Sequence, residues 1–450
     1  MPMIIEIPSQ VNKALAILSA AGYESFVVGG AVRDAVMGRP VNDWDVTTSA
    51  LPEETEAAFE GYKVIETGIK HGTVTVVIDS CHIEITTFRV DGGYSDNRHP
   101  DFVEFTDNIT LDLSRRDFTC NAIAYSPEKG FRDPFGGIDD INNKIIRCVG
   151  EPDRRFHEDG LRILRALRFS RVLGFDTDPD TARSIHRCVN LLSNISSERI
   201  VAELLKMLPY CDMAFLDEYS DVIFEIIPEL KNEKGCAQNH ERHIYDVWLH
   251  SCRAVEASPA DAEIRLAALL HDIGKPSCKS TDENGVDHFY SHGKVGAAIT
   301  ADIMNRLKTS GRLKRKIVNL VEYHDFLPEK ISDKTFRKYI GILGEDTIRA
   351  LFAIREADIR AQNPAFLEEG LRANEEGLRR FEEILARENC FKISDLAAKG
   401  GELIAAGIPQ GPQVGKIHLA LFDEVISGTL PNEKEALINR AKELYENGDH

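Results

Sequence analysis

The alternation of hydrophobic and polar positions divides the chain into two parts. Up to about residue 145, short helical segments alternate with β-rich runs such as 72–78 and 82–88. After Asp153 the β pattern almost disappears, and apolar residues recur at helical spacing to the C-terminus, with prolines and glycines between the segments. The pattern predicts an α+β protein, with a small mixed α/β head followed by an all-helical region.

Composition narrows the class of protein. A chain of 450 residues with 43% hydrophobic residues can bury a large core, and this length predicts several domains. No apolar run approaches the roughly 20 residues of a membrane span, and the N-terminus lacks the basic flank of a signal peptide. The nine cysteines lack metal or redox spacing, so we expect them to be reduced. We therefore expect a soluble, cytoplasmic protein.

The net charge of -19 argues against a general nucleic-acid coat, because non-specific binding depends on Lys and Arg side chains that neutralise phosphates. A nucleic-acid surface on this chain must then be a local basic patch. Neither DNA nor a membrane is an expected partner.

Two short motifs near the N-terminus indicate nucleotide chemistry. A β-branched strand at 26–28 ends in a Gly-Gly pair, 29–30, and backbone without Cβ atoms can approach a triphosphate there. Asp43 and Asp45 sit two positions apart on what the pattern predicts as the next strand, so both can face one Mg²⁺ while Trp44 packs behind them. This is the outline of a two-metal nucleotidyl-transfer site. An ordinary tight turn and a solvated acidic loop are the alternatives.

Two arginine-rich motifs follow, one late in the head and one after it. At 115–122, Arg-Arg-Asp-Phe-Thr-Cys-Asn-Ala places two cations beside a carboxylate, where they could meet a triphosphate and a ribose hydroxyl; a helix start with solvated charges is the alternative. Further on, four charged residues recur every three positions on one predicted helix: Asp159, Arg162, Arg165 and Arg168. Such a row forms a ridge that can present hydrogen-bonding groups to a base edge and to phosphate. The alternative is a surface helix with i, i+3 ion pairs.

A histidine-aspartate pair marks the helical region. His271 and Asp272 follow an apolar predicted helix, where an imidazole and a carboxylate can share one divalent ion. A hydrogen-bonded core histidine is the alternative. Further histidines and aspartates surround this pair in the sequence: His250, His292, His324, Asp325 and Asp358.

The ordered motifs resemble those of a known family. They are Gly-Gly-x-Val-Arg-Asp at 29–34, the Asp43/Asp45 pair, the 115–122 segment, Asp-Pro-Phe-Gly-Gly at 133–137, and Glu158-Asp159 with Arg162 and Arg165. Together with a neck-like segment at 195–204, they resemble the class II nucleotidyltransferases, which comprise the tRNA CCA-adding enzymes and related bacterial poly(A) polymerases. Leu-Leu-His-Asp-Ile-Gly-Lys-Pro at 269–276 resembles the HD phosphohydrolase superfamily.

The first resemblance implies a polymerase that adds C, C and A to the 3′ end of tRNA from CTP and ATP, without a nucleic-acid template. Asp43 and Asp45 would be the catalytic, Mg²⁺-binding residues, with Glu84 as a candidate third carboxylate or an ordinary exposed strand residue. Asp159 and Arg162 would select the base by Watson-Crick-like hydrogen bonds. The expected nucleotide-binding residues are Gly30, Arg33, Arg116, Asp159, Arg162, Arg165 and Arg168.

The second resemblance implies a metal site in the helical region. Its expected ligands are His250, His271, Asp272 and Asp358, with Asp325 as a rival for the last position. A divalent transition metal there would be a cofactor in addition to Mg²⁺, and a phosphohydrolase activity would accompany it.

We expect four domains: a catalytic head at 1–145, a helical neck that binds nucleobase and RNA at 146–235, an HD domain at 236–365, and a tRNA-contacting tail at 366–450. The segment 86–89 and the polar segment 89–100, predicted as a mobile loop, resemble the CCA-adding type and favour tRNA over mRNA. An A-adding enzyme or poly(A) polymerase remains an alternative. So do an HD phosphohydrolase with an RNA-binding head and a non-catalytic RNA-binding protein.

Overall fold

The computed structural model describes residues 4–41, 43–68, 72–93, 102–387 and 390–447. Packing divides the chain into two compact units. The first consists of Met1–Tyr210 and Tyr219–Pro228, and the second of Cys211–Glu218 and Glu229–His450. Each unit has its own hydrophobic core.

A seven-stranded mixed sheet forms the centre of the first unit. The strands of this unit are β1 (Ser25–Val28), β2 (Val46–Thr48), β3 (Lys63–Gly68), β4 (Thr73–Ile78), β5 (Cys81–Thr87), β6 (Arg89–Gly92), β7 (Phe102–Phe105), β8 (Ala124–Ser126), β9 (Gly130–Arg132), β10 (Ile145–Ile146) and β11 (Asp176–Thr177). The sheet order is β3-β4-β5-β2-β1-β8-β9, with β2 and β5 parallel and the other neighbours antiparallel. Val46 pairs with Val27 on one side and Ile85 on the other, so β2 is central.

Helices complete the first unit. They are α1 (Ser9–Ala20), α2 (Gly30–Val36), α3 (Pro52–Ala58), α4 (Ile109–Ser114), α5 (Gly137–Asn143), α6 (Pro152–Glu158), α7 (Leu161–Leu173), α8 (Pro179–Arg187), α9 (Ser197–Met207) and α11 (Ser220–Ile226). Apolar side chains of β1, α4 and β8 pack into one cluster with Phe88, which anchors the sheet beside the Gly-Gly turn. The helical spacing of apolar residues in α7 buries its Ile163, Leu164 and Leu167.

The segment 89–100 differs from its prediction as a loop. Residues 89–92 form β6, which pairs with β7 in register Arg89 to Phe105. The Asp91 carboxylate lies 3.1 Å from Nε of Arg89 and 3.5 Å from a terminal nitrogen of Arg115. Polar residues typically indicate a loop, but Arg89 and Asp91 are ion-paired on a short two-stranded ribbon. Residues 94–100 of the predicted loop lie outside the described residues.

The second unit is helical. Its helices are α10 (Met213–Glu218), α12 (Val247–Ala257), α13 (Ala262–Leu270), α14 (Lys275–Cys278), α15 (His292–Arg306), α16 (Gly311–Tyr323), α17 (Asp333–Leu343), α18 (Glu345–Ala361), α19 (Leu367–Arg387), α20 (Gly400–Ala405), α21 (Pro412–Ser427) and α22 (Lys434–Glu446). Two-residue strands β12 (Ser280–Thr281) and β13 (Asp287–His288) pair between α14 and α15. α12 packs against α13 and α18, while α20 to α22 bury a separate apolar cluster.

The predicted fold class is confirmed: a mixed α/β head precedes a helical region, in which β11 to β13 are the short exceptions. Among the described residues, no helix is both long enough and apolar enough to cross a bilayer. The nine cysteines are all free. The boundaries between the four predicted domains stay predictions.

Candidate nucleotidyl-transfer site and histidine cluster

The Gly-Gly turn lies where β1 ends and α2 begins. Gly29 has φ +73°, a left-handed conformation that favours glycine, and a Cβ there would lie 3.0 Å from a terminal nitrogen of Arg116. Gly30 is the first residue of α2. A side chain at position 29 would therefore be strained and would also crowd Arg116. Because Gly29 has no side chain, the Arg116 guanidinium lies close to the backbone of the turn.

Asp43 and Asp45 precede β2 and do not lie on it, which corrects the predicted strand. Their side chains are both exposed and Trp44 is partly buried. Val28 donates its N–H to the carbonyl of Asp45 at 3.1 Å, and Val28 is the last residue of β1. Earlier residues therefore have no antiparallel partner on β1, and β2 begins only at Val46. The two carboxylates are nevertheless close enough for the charge of Asp43 to act on Asp45.

The electrostatics at Asp45 favour a bound cation. Partial burial raises the pKa of Asp45, and the charges of Glu84 and Asp43 raise it further, while Arg116 opposes them. Three carboxylates thus repel one another at the surface of the sheet. Hard oxygen donors of this kind are those that Mg²⁺ prefers, so the residues present fit such an ion. Glu84, on β5, is counted with the two aspartates because its charge raises the pKa of Asp45.

Arg116 lies between the carboxylates and the Gly-Gly turn. Burial lowers its pKa, although the charges of Asp112, Asp117 and Asp45 counteract this effect. A terminal nitrogen lies 3.5 Å from the fully buried Asp112 carboxylate. Its Nε is buried and lacks a hydrogen-bond partner among the described residues. The Arg116 side chain as a whole is 22% exposed, so its guanidinium can donate hydrogen bonds to a phosphate oxygen.

Arg33 is buried and tied into the head. It donates to Oδ1 of Asn121 at 2.7 Å and to Oδ1 of Asp34 at 2.9 Å. Its guanidinium carbon also lies 5.1 Å from the centre of the Phe169 ring, which fits a cation–π contact. Arg33 therefore has a fixed position beside the turn, and its contact with a triphosphate stays a prediction.

Asp159 does not share a helix with the three arginines, which corrects the predicted ridge. α6 ends at Glu158 and α7 begins at Leu161, while Asp159 is extended, with φ -146° and ψ 105°. Its Oδ1 accepts the Leu161 N–H at 3.0 Å, and Arg199 lies 2.8 Å from its Oδ2. An aspartate that satisfies free amides at a helix start ends the preceding helix there. Asp159 therefore lies just before the N-terminus of α7.

The three arginines lie on α7 at the predicted spacing, and each is paired with an acid. Arg162 donates to Glu158 at 2.7 Å, Arg165 donates through two nitrogens to Asp117 at 2.9 and 2.5 Å, and Arg168 donates to Glu203 at 2.5 Å. Arg162 also donates to the Arg115 carbonyl at 2.9 Å. The three arginines and their acidic partners thus form a row of largely buried ion pairs, called the ionic ladder below. They form neither a free basic surface nor a solvated helix face.

Asp117 holds this ladder to the head. Burial opposes its ionisation, but Arg165 and the Asn121 side chain overcome this and lower the pKa of Asp117 to about 2. Asn121 donates to Asp117 at 3.1 Å while it accepts from Arg33. The sequence motif predicts that the Asp117 carboxylate and its neighbouring cations meet a triphosphate and a ribose hydroxyl, which stays a prediction, and it predicts no role for Asn121. The i, i+4 spacing of a carboxylate and an amide was the available signal.

In the second unit, the predicted metal ligands come together. His250 on α12, His271 and Asp272 after α13, and Asp358 on α18 are within ion-pair distance of one another. Nε2 of His250 lies 2.9 Å from Asp358 Oδ1 and 3.4 Å from Asp272 Oδ2, and Nε2 of His271 lies 3.2 Å from Asp272 Oδ2. The rival Asp325 lies instead near His292, at 3.2 Å.

The ring orientations in this cluster suit the binding of a metal ion. The His250 and His271 rings point Nδ1 at backbone carbonyls, at 3.4 and 2.6 Å, which leaves Nε2 free to face the cluster. Both Nε2 atoms and Asp272 Oδ2 are buried, and each lies within ion-pair distance of an oppositely charged group. Lys275 Nζ lies 2.6 Å from Asp272 Oδ2 and, with the histidines, keeps the pKa of Asp272 well below its usual range despite burial. The residues fit a divalent ion.

His292 and His324 approach the other oxygen of Asp272. Their Nε2 atoms lie 3.3 and 3.6 Å from Asp272 Oδ1. Sequence reasoning noted both histidines without placing them at the site. Their separation from Asp272 along the chain gave no spacing signal, because α14 and α15 intervene.

Comparison with protein families agrees with this geometry. Residues 25–147 match the family described as "Poly A polymerase head domain", 174–215 match "Probable RNA and SrmB- binding site of polymerase A", and 241–361 match "HD domain". The fold and site therefore define a nucleotidyltransferase with an attached HD domain.

Whole-chain comparisons identify the family. The CCA-adding enzyme of Streptococcus agalactiae serotype V is 32% identical over 443 residues, covering 97% of this chain and 98% of the relative. That of Lactobacillus helveticus is 33% identical over 445 residues, covering 98% of each. The Bacillus stearothermophilus CCA-adding enzyme in complex with CTP matches with TM-score 0.68, 29% identity and 98% coverage of each chain. The chain belongs to the CCA-adding enzyme family.

The Thermotoga maritima CCA-adding enzyme complexed with tRNA is more distant. It matches with TM-score 0.62 and 18% identity, covering 97% of this chain and 96% of the other. At this identity the match supports the shared fold.

Proposed function

We propose that this protein adds C, C and A to the 3′ end of tRNA from CTP and ATP without a template, releasing pyrophosphate. The observation that carries the proposal is the placement of Asp45 beside Asp43, Glu84 and the buried cation Arg116 at the Gly-Gly turn. Carboxylates for metal and a cation for phosphate are the two parts that nucleotidyl transfer requires. Family membership identifies the nucleotides and the RNA.

Asp43 and Asp45 would hold Mg²⁺. When bound, the metal activates the 3′-hydroxyl and neutralises charge on the triphosphate. Arg116, whose side chain is 22% exposed, would donate hydrogen bonds to phosphate oxygens. Gly30 leaves room for the phosphates at the start of α2, and Arg33 stands beside the turn as a fixed cation.

In this proposal, Asp159 and Arg162 select the base. Asp159 offers a carboxylate that is shared with Arg199, and Arg162 is oriented by Glu158 and the Arg115 carbonyl. A fixed acceptor and a fixed donor can read a Watson-Crick edge. Arg165 and Arg168, committed to Asp117 and Glu203, support α7 and contribute positive potential.

The chain organisation proposed for this activity has a catalytic head at 1–145, a base-reading neck at 146–235, an HD domain at 236–365, and a tail at 366–450 that contacts the tRNA body. The substrates place the enzyme in the cytoplasm. Mg²⁺ is the proposed ion of the head.

The test is nucleotide incorporation into tRNA that lacks its 3′ end. Purified protein with Mg²⁺, CTP and ATP should extend this tRNA, and the double variant Asp43→Ala, Asp45→Ala should not. Glu60→Gln, an exposed carboxylate on the same unit, is the matched control and should extend normally. Absence of incorporation by the unaltered protein, or incorporation by the double variant, would overturn the proposal.

The buried histidine cluster favours a second activity, a metal-dependent phosphohydrolase in the HD domain. The cluster borders a cleft of about 380 Å³ that is also lined by Arg242, Lys275 and Tyr290. Two cations and an aromatic ring suit a nucleotide phosphoester. Hydrolysis of a 2′,3′-cyclic nucleotide should survive in the Asp43→Ala, Asp45→Ala variant and disappear in His271→Ala. Equal hydrolysis by His271→Ala would assign the activity to a contaminant.

A further inference from the structure

Two parallel rings form an exposed surface at the cleft of the second unit. The rings of His288, on β13, and Tyr290, two residues further on, are stacked with their centres 5.5 Å apart and their planes 8° from parallel. Both residues line the cleft of about 380 Å³. Tyr290 is 75% exposed, so the ring face turned away from His288 is open to solvent. We call this pair the ring platform.

The turn between β12 and β13 fixes the His288 ring. Nε2 of His288 lies 3.1 Å from Oδ2 of Asp282. Oδ1 of Asp282 accepts the backbone N–H groups of Asn284 and Val286, both at 2.9 Å. The hydrogen bond with His288 and those with the amides lower the pKa of Asp282, so its carboxylate is charged at neutral pH. A charged carboxylate that is itself held by two amides restricts rotation of the imidazole.

The strands of the hairpin are anchored through Asp287. Its buried carboxylate lies 2.8 Å from Nζ of Lys279 and accepts the Asn239 N–H at 2.8 Å. Thr281 donates its hydroxyl to the other oxygen at 2.6 Å. Because the hairpin is held at its turn and along its strands, the ring platform has a fixed position before a ligand arrives. A preformed surface of this kind lowers the entropy cost of binding.

Arg242 supplies a cation to the same cleft. Of the lysine and arginine side chains that line the cleft, Lys275 is buried and lies 2.6 Å from Asp272. Arg242 is 39% exposed, and its ion pair with Glu369 is long, at 3.7 Å. Its guanidinium carbon lies 4.6 Å from the centre of the Phe366 ring, which holds the group in place. The Arg242 guanidinium can therefore donate to a phosphate oxygen.

We propose that the ring platform binds the base of a nucleoside phosphoester whose phosphate lies beside Arg242. A single exposed tyrosine needs no explanation. Here, however, the ring is stacked on an immobilised imidazole and lines a cleft whose volume suits a small ligand. Nucleobases of every kind stack on such a ring face.

The proposal rests on the phosphohydrolase activity proposed above and narrows its substrates to esters that carry a base. A phosphate ester without a base would contact only the cation and the histidine cluster. Tyr290 is then a residue that determines specificity, and it takes no part in bond cleavage. The proposal is independent of CCA addition.

The kinetic test compares a cyclic phosphodiester that has a base, adenosine 2′,3′-cyclic phosphate, with one that has none, glycerol 1,2-cyclic phosphate. Hydrolysis is measured with the full-length Asp43→Ala, Asp45→Ala variant, which removes the proposed activity of the head. In this background, Tyr290→Ala should raise KM for the adenosine ester by about 10-fold and leave kcat unchanged, because base stacking is lost. KM for the glycerol ester should not change. Tyr290→Phe should retain the low KM, because it keeps the ring.

Ile342→Ala is the matched control. Ile342 lies on α17, is 69% exposed, and is not among the residues that line the cleft, so both KM values should stay unchanged. An unchanged KM for the adenosine ester in Tyr290→Ala, or an equal rise for both esters, would overturn the ring platform and leave the phosphohydrolase standing.

A nucleoside phosphoester can be a free nucleotide or the end of an RNA. The same measurement with an RNA trinucleotide that ends in a 2′,3′-cyclic phosphate separates these sources, because the substrate with the lower KM fits the cleft better. Tyr290→Ala should raise KM for both substrates by a similar factor. A change for neither substrate would overturn the ring platform.

Photolabelling tests the ring platform without hydrolysis. The same full-length variant is irradiated with 8-azidoadenosine 2′,3′-cyclic phosphate, and the labelled peptides are identified by mass spectrometry. We expect label on residues 280–291, lost in Tyr290→Ala and retained in Ile342→Ala. Label only elsewhere, or equal label in Tyr290→Ala, would overturn the proposal. Label at 280–291 in a protein that hydrolyses neither ester would support the ring platform and overturn the phosphohydrolase.

Discussion

Replacement of Asp117 by asparagine tests how the head and the α7 ladder are held together. The change keeps the shape of the side chain and its capacity to accept the Phe118 N–H, now at 2.9 Å. It places an amide N–H₂ or an uncharged oxygen against Arg165, which loses its charged partner. We expect a less stable first unit and weaker positioning of Arg165.

The magnitude follows from the ionisation of Asp117. Its pKa is about 2, against an ordinary value of 3.8, and this difference corresponds to about 2 kcal/mol of preference for the charged form in the folded state. The Asp117 side chain is 9% exposed, so water screens it little. For a unit of this size, about 2 kcal/mol lowers the unfolding midpoint by roughly 4 to 8 °C.

Scanning calorimetry of the full chain measures the shift in the unfolding midpoint. Asp180→Asn is the matched control, because its pair with Arg183 is mostly exposed, at 73% and 62%, and such pairs contribute at most about 1 kcal/mol. A midpoint for Asp117→Asn equal to that of Asp180→Asn would refute the reasoning.

The sign of the pH dependence gives a second check. A depressed pKa in the folded state stabilises above the unfolded value near 3.8, and the benefit declines as pH falls toward about 2. The difference between the unaltered protein and Asp117→Asn should therefore be constant from pH 8 to pH 5 and should shrink below pH 4. A difference that grows on acidification would contradict the assignment.

Three further predictions concern the proposed site. Arg116→Gln should raise KM for CTP and ATP alike by about 10-fold or more, since a charge-assisted phosphate contact contributes about 1.5 to 3 kcal/mol, and steady-state kinetics checks this. Asp159→Ala should reduce discrimination against UTP and GTP by about 10- to 100-fold, as expected for loss of a base-edge contact of about 1 to 3 kcal/mol, which competition assays measure. Removal of divalent metal with EDTA should abolish incorporation, and Mg²⁺ should restore it without change in circular dichroism.

Local sequence patterns predicted the fold class best. The alternating runs at 72–78 and 82–88 became β4 and β5, because buried β-branched residues favour strands wherever a partner strand exists. The apolar helix before His271 was also predicted, and its C-terminal end carries the ligand pair as expected. In these cases the determinant of structure lies within the segment itself.

The predictions that were wrong share a physical cause. In each case the local structure depends on a residue or strand that is distant in the sequence. β2 starts late because β1 ends at Val28, and no pattern near Asp43 indicates where another strand ends. Asp159 leaves the helix because its carboxylate satisfies local amides and pairs with Arg199, forty residues away. His292 joins Asp272 only through the packing of α15 against α16 and α14.

Sequencing of tRNA 3′ ends tests the central claim most directly. Truncated tRNA is incubated with the protein and Mg²⁺, with CTP and ATP supplied singly and together, and the product ends are read. CTP alone should give two added C residues, the two nucleotides together should give CCA and then stop, and the Asp43→Ala, Asp45→Ala variant should give neither. Extended A tracts, addition of A alone to tRNA that ends in CC without any C addition, or unchanged ends would contradict the account.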